Sequence, residues 1–238
     1  KRKPSTGEIS KYKARMNVDG SQMIKGLHYE ETYAPVVQWA TIRFFISLAI
    51  LSNWHTRQLD FVLAYTQADI ERDLYMKLPA GFTVPGRTIS EQDRRDYVLK
   101  LEKNLYGQKQ AGRVWYLHLK KNLLKLGFKP SQHDECVFYY GKTIFIVYTD
   151  DTILLGPDKE EIDQLVEKLG KTFKIEDQGN LSDYLGIKIE RKPDGTLEWT
   201  QPTLTQSILK DLKLDGEESR ENRINLTSSQ YQQTHLYH

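Results

Sequence analysis

Apolar residues recur along this chain in two rhythms. In VVQWATIRFFISLAILSN, Ile42, Phe45, Ile46, Ala49 and Ile50 fall at helical spacing and predict a mostly buried helix. QAGRVWYLHLKKNLLKLGF repeats the rhythm through Trp115, Leu119, Leu123 and Leu126, with Gly127 near its end. PDKEEIDQLVEKLGKTF predicts an amphipathic helix capped by Asp158, with Glu161 three positions on, and QPTLTQSILKDLKL a last helix with Pro202 near its start. Short apolar or β-branched runs mark strands: HTRQLDFVLAY, running into a turn or short helix, then YVLKL, CVFYY, TIFIVY and TILLG. A GK pair makes a hairpin of CVFYY and TIFIVY, and KPDG joins strands around YLGIKIER and TLEWT.

The remainder is polar or broken. LPAGFTVPGRTISEQDRRD has two Pro and two Gly and predicts an exposed loop. KRKPSTGEISKYKAR predicts a mobile basic segment leading into a strand near Tyr12–Val18, and the tail after Gly216 lacks apolar periodicity. Helices mixed with hairpins predict an α+β fold with a largely antiparallel sheet.

Composition narrows the class. The chain has 238 residues, 39% hydrophobic, enough for one two-lobed domain or two small ones. No apolar run approaches ~18 residues and no secretory leader is visible, so the expectation is a soluble, cytoplasmic protein without a membrane partner. A single cysteine, Cys136, excludes an internal disulfide framework. His133 and Cys136 alone make a poor zinc site, and the NLS and NLT triplets at 180 and 225 lack a secretory signal to support glycosylation.

Net charge is only +2, but residues 1–130 hold 22 Lys+Arg against 12 Asp+Glu while the rest hold 12 against 20. A basic half beside an acidic half suits a protein that grips a polyanion and holds metal; it also suits two unrelated solvated surfaces.

The chemistry concentrates at IVYTDDTILLG. Asp150 and Asp151 interrupt two apolar strands, and no Lys or Arg lies within five residues on either side. A solvated turn is one reading. The other is a cation site, because charge beside a dry sheet needs a counter-charge, and all-oxygen ligands favour Mg²⁺ or Mn²⁺. Asp60 in RQLDFVLAY ends a similar strand and is the best third carboxylate. Two ions ~3.5–4 Å apart would then clamp an in-line phosphoryl displacement of the polymerase kind.

At this point the chain resembles a known family. YKARMNVDG, YEETYAPVV, TIR, QLDFVLAY, LYMKLPAGF, LEKNLYGQKQAGRVWY, YTDD and YLGIKIE occur in the order of a copia-type retrotransposon reverse transcriptase, over roughly residues 11–212. The resemblance implies an RNA- and DNA-directed DNA polymerase with a right-hand fingers and palm arrangement. Residues 1–10 would be a flexible segment, 11–200 fingers and palm, and 201–238 the start of a thumb and a tail. Asp60, Asp150 and Asp151 would be the catalytic, metal-binding set for two Mg²⁺ ions, with Mn²⁺ as the substitute.

The same resemblance implies the remaining roles. Tyr65 would lie under the nucleotide sugar and exclude a 2′-hydroxyl, unless it is an ordinary core tyrosine. Phe61 and Val62 would bring backbone N–H groups to the triphosphate. Lys13 and Arg15 would reach the same phosphates, or form a solvated strand face. Tyr106 and Gly107 would sit at the turn under the templating base. Gln110 and Arg113 would contact nucleotide or template, with Arg113 equally readable as a surface residue. Tyr148 and Thr149 would border the primer. Lys120, Lys121, Lys125 and Lys129, with Trp115 and Tyr116, would track a nucleic-acid backbone or form a solvated helix face. The partners are a template with primer, and dNTPs.

The match has departures. Thr149 stands where the family usually has Val; Val62 and Leu63 stand where it often has Lys and a polar residue. YTQA replaces FLNG, and Gly112 replaces the proline after KQA. The tail ESRENRINLTSSQYQQTHLYH does not match the expected thumb and ribonuclease H continuation. Two expectations follow: an active polymerase domain, or a silent relic that keeps the fold. An unrelated palm-type cyclase or RNA polymerase would fit the carboxylates but not Tyr65.

Overall fold

Helix α1 (Trp39–Leu51) buries Ile42, Ile46 and Ala49, while Trp39, Phe44 and Leu51 stay exposed. In the computed structural model, which describes residues 15–181, 183–192 and 196–214, a turn through Asn53 leads from α1 into β1 (His55–Phe61). Lys13, residues 12–14 of the strand expected near Tyr12–Val18, most of the KPDG turn and the tail beyond 214 lie outside the described residues, whereas residues 15–18 form no strand, only an isolated bridge from Asn17 to Tyr106. Leu63, with φ 54°, ends β1's extended path and starts the four-residue α2 (Ala64–Gln67).

β2 (Tyr75–Lys77) and β3 (Val98–Lys100) pair antiparallel as a separate two-stranded sheet. The connection between them is a loop as expected, except for the short α3 (Glu91–Asp96). Ser90 and Asp93 close a capping box at its start.

α4 (Ala111–Lys125) and the strands that follow build the core. These are β4 (Lys129–Pro130), β5 (Val137–Tyr140), β6 (Thr143–Tyr148) and β7 (Asp151–Gly156). α5 (Lys159–Thr172) then leads to β8 (Ile175–Gly179). Asp158 caps α5 by accepting from the Glu160 and Glu161 N–H groups, whereas the Glu161 carboxylate is taken by the Thr143 hydroxyl.

The sheet order is β4-β5-β6-β7-β1-β8, antiparallel at every pairing. The earliest strand, β1, therefore sits between β7 and β8. With α4 and α5 as connections, β1-α4-β6-β7-α5-β8 is the split β-α-β arrangement of ferredoxin-like sheets. β6 and β7 are buried along nearly their whole length, which requires cover on both faces. Arg57 on β1 ties α5 and β8 together through ion pairs to Asp163 and, at 3.2 Å, Asp177.

An aromatic cluster locks α4 onto this sheet. Phe61 meets Trp115 and Phe173 edge-on at 5.0 and 5.3 Å, and His118 lies against Trp115 at 6.1 Å. Phe61 and Trp115 are each 1% exposed, so truncating either ring to Ala costs about 3–5 kcal/mol.

A second compact unit begins at Leu181. It contains β9 (Asp183–Tyr184), β10 (Ile187–Arg191) and β11 (Leu197–Thr200) in the order β11-β10-β9, all antiparallel. Leu185 and Gly186, both at positive φ, form the two-residue turn between β9 and β10. Helix α6 (Pro202–Asp211) follows, with Pro202 in its first turn. Among the described residues no helix is long and apolar enough to cross a membrane.

Candidate active site

The β6–β7 hairpin closes with a two-residue turn, Thr149–Asp150. Thr149 has φ 59°, a region a β-branched residue seldom occupies, and a position where hairpins usually place glycine. Its carbonyl accepts a 2.7 Å hydrogen bond from Trp115 Nε1. The Asp150 carbonyl accepts the Phe61 N–H at 3.0 Å, which ties the turn to the end of β1.

This pairing fixes where the acids stand. Asp60 is the register partner of Asp151 on one side and of Glu176 on the other. Asp151, Asp60 and Glu176 therefore form a row across three strands on one sheet face. Direct partners have Cβ atoms about 4.5–5.5 Å apart, so like charges here are unfavourable without a counter-charge. Asp60, Asp150 and Asp151 are each half-buried at the sheet's end, as a site that meets both protein and solvent must be.

Two tyrosines flank the acids. Tyr65, on α2, and Tyr106 have ring centroids 4.7 Å apart. Burial raises the Tyr65 hydroxyl above the usual tyrosine range, and the Asp150 charge raises it further. Tyr106 is raised by burial, then by Asp150 and more weakly by Asp60, against the lowering effect of Arg15. The Arg15 guanidinium lies 5.3 Å from the Tyr106 ring centroid. Arg15, Tyr65, Tyr106 and the carboxylates thus share one neighbourhood.

Gly107 holds that neighbourhood together. The Val18 N–H donates to the Tyr106 carbonyl at 2.8 Å, and a Cβ on Gly107, at φ 88°, would run into the Val18 carbonyl oxygen. Only glycine lets the segment through Val18 lie this close.

Other expected site residues are placed differently. The Phe61 N–H is spent on Asp150, and the Val62 N–H on the Lys174 carbonyl at 2.9 Å, because β1 is paired on both edges. Gln110 ends up as the N-cap of α4, 4% exposed, and its Oε1 has no hydrogen-bond partner among the described residues. Arg113 is half-buried and donates to the Tyr33 carbonyl at 3.4 Å. Trp115 and Tyr116 are 1% and 8% exposed, which removes them as a stacking platform for bases. Lys120 lies over the Tyr116 ring, whereas Lys121, Lys125 and Lys129 are exposed. Tyr148 ends β6, half-buried. Glu176 and the Trp115–Thr149 bond were not anticipated; the first lies in a charged strand and the second is a contact to backbone.

The donor set suits a hard divalent cation: carboxylate oxygens only, two of them facing in register and a third in the adjoining turn. Among the described residues, however, no three His, Cys, Asp or Glu side chains are already gathered into a group that could hold a metal ion. What the backbone shows is Asp60, Asp150 and Asp151 brought to one end of the sheet.

Comparison with known proteins bears on what such a site belongs to. The family described as Reverse transcriptase (RNA-dependent DNA polymerase) matches residues 1–224. The chain belongs to the copia-type reverse transcriptase family. It is 37% identical over 195 residues to the Retrovirus-related Pol polyprotein from transposon RE1 of Arabidopsis thaliana, covering 80% of this chain and 13% of that protein. It is 34% identical over 197 residues to that from transposon TNT 1-94 of Nicotiana tabacum, covering 81% and 14%. A Transposon Ty1-ER2 Gag-Pol polyprotein of Saccharomyces cerevisiae is 29% identical over 177 residues, covering 69% and 10%. No solved structure matches. The chain thus spans about an eighth of its plant relatives' length. The family match extends over the whole first unit and hence over every element that positions Asp60, Asp150 and Asp151.

Proposed function

We propose that this chain is the fingers and palm part of a DNA polymerase, which extends a primer 3′-hydroxyl with dNTPs on an RNA or DNA template. The observation that supports the reading is the register of β1 against β7, which sets Asp60 opposite Asp151 beside the Asp150 turn. The central sheet serves as palm, residues 11–200 hold fingers and palm together, and a thumb begins after them.

Asp60, Asp150 and Asp151 are the residues that would hold two Mg²⁺ or Mn²⁺ ions; when bound, these stabilise charge on the attacking and leaving oxygens. The chain's other residues bind and orient. Tyr65 lies under the sugar and leaves no room for a 2′-hydroxyl. Tyr106, tilted against Tyr65, supports the base pair being formed. Arg15, anchored over Tyr106, offsets triphosphate charge. Lys121, Lys125 and Lys129 face solvent and supply non-specific phosphate attraction.

Primer extension on poly(rA)/oligo(dT) tests the reading. The wild-type chain is expected to extend, and Asp150→Asn to lose at least ~10³-fold in rate. Extension that persists in Asp150→Asn rejects the assignment. Filter binding over a salt series accompanies it: a wild type that holds primer–template with steep salt dependence yet never extends it is the silent relic instead.

A further inference from the structure

The geometry points to Trp115 as a positioning residue that holds the Thr149–Asp150 turn in its disfavoured conformation and so sets Asp150 and Asp151 beside Asp60. The inference rests on the polymerase reading for its consequence, but not for its structural content. Thr149 sits at φ 59°, where a branched Cβ crowds the backbone. A conformation of that kind persists only where surrounding structure over-determines it. Here the determinant is the hydrogen bond from Trp115 Nε1 to the Thr149 carbonyl, at 2.7 Å.

Packing does not do this job alone. A pocket of ≈ 90 Å³ lies beside the turn, lined among others by Tyr65, Gly112, Trp115, Val147 and Thr149. On that side the turn has space to relax. Trp115 borders the same pocket, but its other faces are held: it is 1% exposed, edge-on to Phe61 and Phe173 and stacked on His118. A rigid donor therefore meets a strained acceptor next to a gap.

The same indole touches the other half of the site. Phe61 follows Asp60 directly, and its ring lies 5.0 Å from that of Trp115. One side chain thus sets the residue after Asp60 by ring contact and the residue before Asp150 by a hydrogen bond. A shift of Trp115 moves both walls of the carboxylate row relative to each other.

The test replaces the N–H and then relieves the strain. Trp115→Phe keeps an aromatic ring and removes the donor. Substituting Trp115 with β-(benzothiophen-3-yl)alanine keeps the bicyclic shape and removes the donor alone, and it decides the matter if the Phe variant fails to fold. Thr149→Gly allows positive φ without cost. The first readout is hydrogen exchange of the Phe61 amide, which is bonded to the Asp150 carbonyl. The second is Mn²⁺ affinity of the chain by calorimetry, and the third is primer extension.

Loss of the donor is expected to speed Phe61 exchange at least 10-fold and to weaken Mn²⁺ binding about 10-fold. Extension is expected to lose about 10-fold in kcat with dNTP KM little changed, and Thr149→Gly in the same chain to restore most of each. Unchanged Phe61 exchange in the donorless chain overturns the inference, and so does a loss that Thr149→Gly leaves unrepaired. A wild type that never extends primer sinks the polymerase reading only, because amide exchange still decides the role of Trp115.

Discussion

Asp60 and Asp151 form a non-hydrogen-bonded pair of the central ladder. The neighbouring pair, Phe61 with Asp150, carries the hydrogen bond, and antiparallel pairs alternate. Non-hydrogen-bonded partners bring their side chains closest, with Cα atoms about 4.5 Å apart. Two carboxylates are thus opposed where a sheet tolerates like charges least. Asp60→Asn is expected to raise metal-free stability by about 0.5–1 kcal/mol. Added Mg²⁺ should raise the Tm of wild type and leave that of Asp60→Asn unmoved. Thermal unfolding with and without Mg²⁺ measures both.

Glu176 extends the row on β8. Glu176→Gln is expected to stabilise the chain by a few tenths of a kcal/mol at ~10 mM salt, and the gain should vanish near 1 M salt as screening shortens to ~3 Å. Urea midpoints at the two ionic strengths report it.

On the proposed polymerase reading, removal of the Tyr65 ring opens the side of the site that takes the sugar. Tyr65→Ala is expected to raise rNTP incorporation relative to dNTP by about 10-fold or more, read as the ratio of kcat/KM values. No gain would reduce Tyr65 to a packing partner of Tyr106.

Gly107→Ala combines a positive φ with a collision against the Val18 carbonyl oxygen. A loss of at least about 2 kcal/mol is expected in urea unfolding, or else detachment of the segment around Val18 from Tyr106. Detachment would appear as lost exchange protection of the Val18 amide and would carry Arg15 away from the site.

His118 supplies a pH dependence. Burial lowers its pKa below the usual histidine value, with Asp69 pulling the other way. A depressed folded value means that the contribution to stability is complete above pH 6.5 and is lost as the pH falls below it. Denaturant midpoints from pH 8 to 5 should therefore decline for wild type, and decline less for His118→Gln.

How much of this was legible in the sequence depended on what each element faces. α4 and α5 announce themselves because each has one solvated face, and β6 and β7 because they are buried throughout. β8 stayed hidden: Ile175-Glu-Asp-Gln-Gly is an edge strand whose side chains meet water, so it shows no apolar alternation. α3 was hidden by its length, although the Ser90–Asp93 spacing is a visible cap signal. The carboxylates were legible because charge at the end of an apolar strand is rare. The fate of the Phe61 and Val62 N–H groups was not, because nothing in HTRQLDFV tells whether a strand has one neighbour or two. Trp115 and Tyr116 went astray for a related reason: residue type suggested a stacking surface, and only the packing of α4 on the sheet turns them inward.

The insertion of β1 between β7 and β8 also sets an order of events during synthesis. The acidic row needs Glu176 and Asp151 as well as Asp60, so it cannot form until more than a hundred further residues have left the ribosome, on the order of ten seconds at ~5–20 residues per second. Until β7 emerges both edges of β1 lack their final neighbours, and until β8 emerges one still does, so each invites wrong pairing. Until β8 has emerged, the acidic row lacks Glu176 and β1 lacks its second partner, so a chain halted before that point carries an unfinished sheet edge beside the carboxylates.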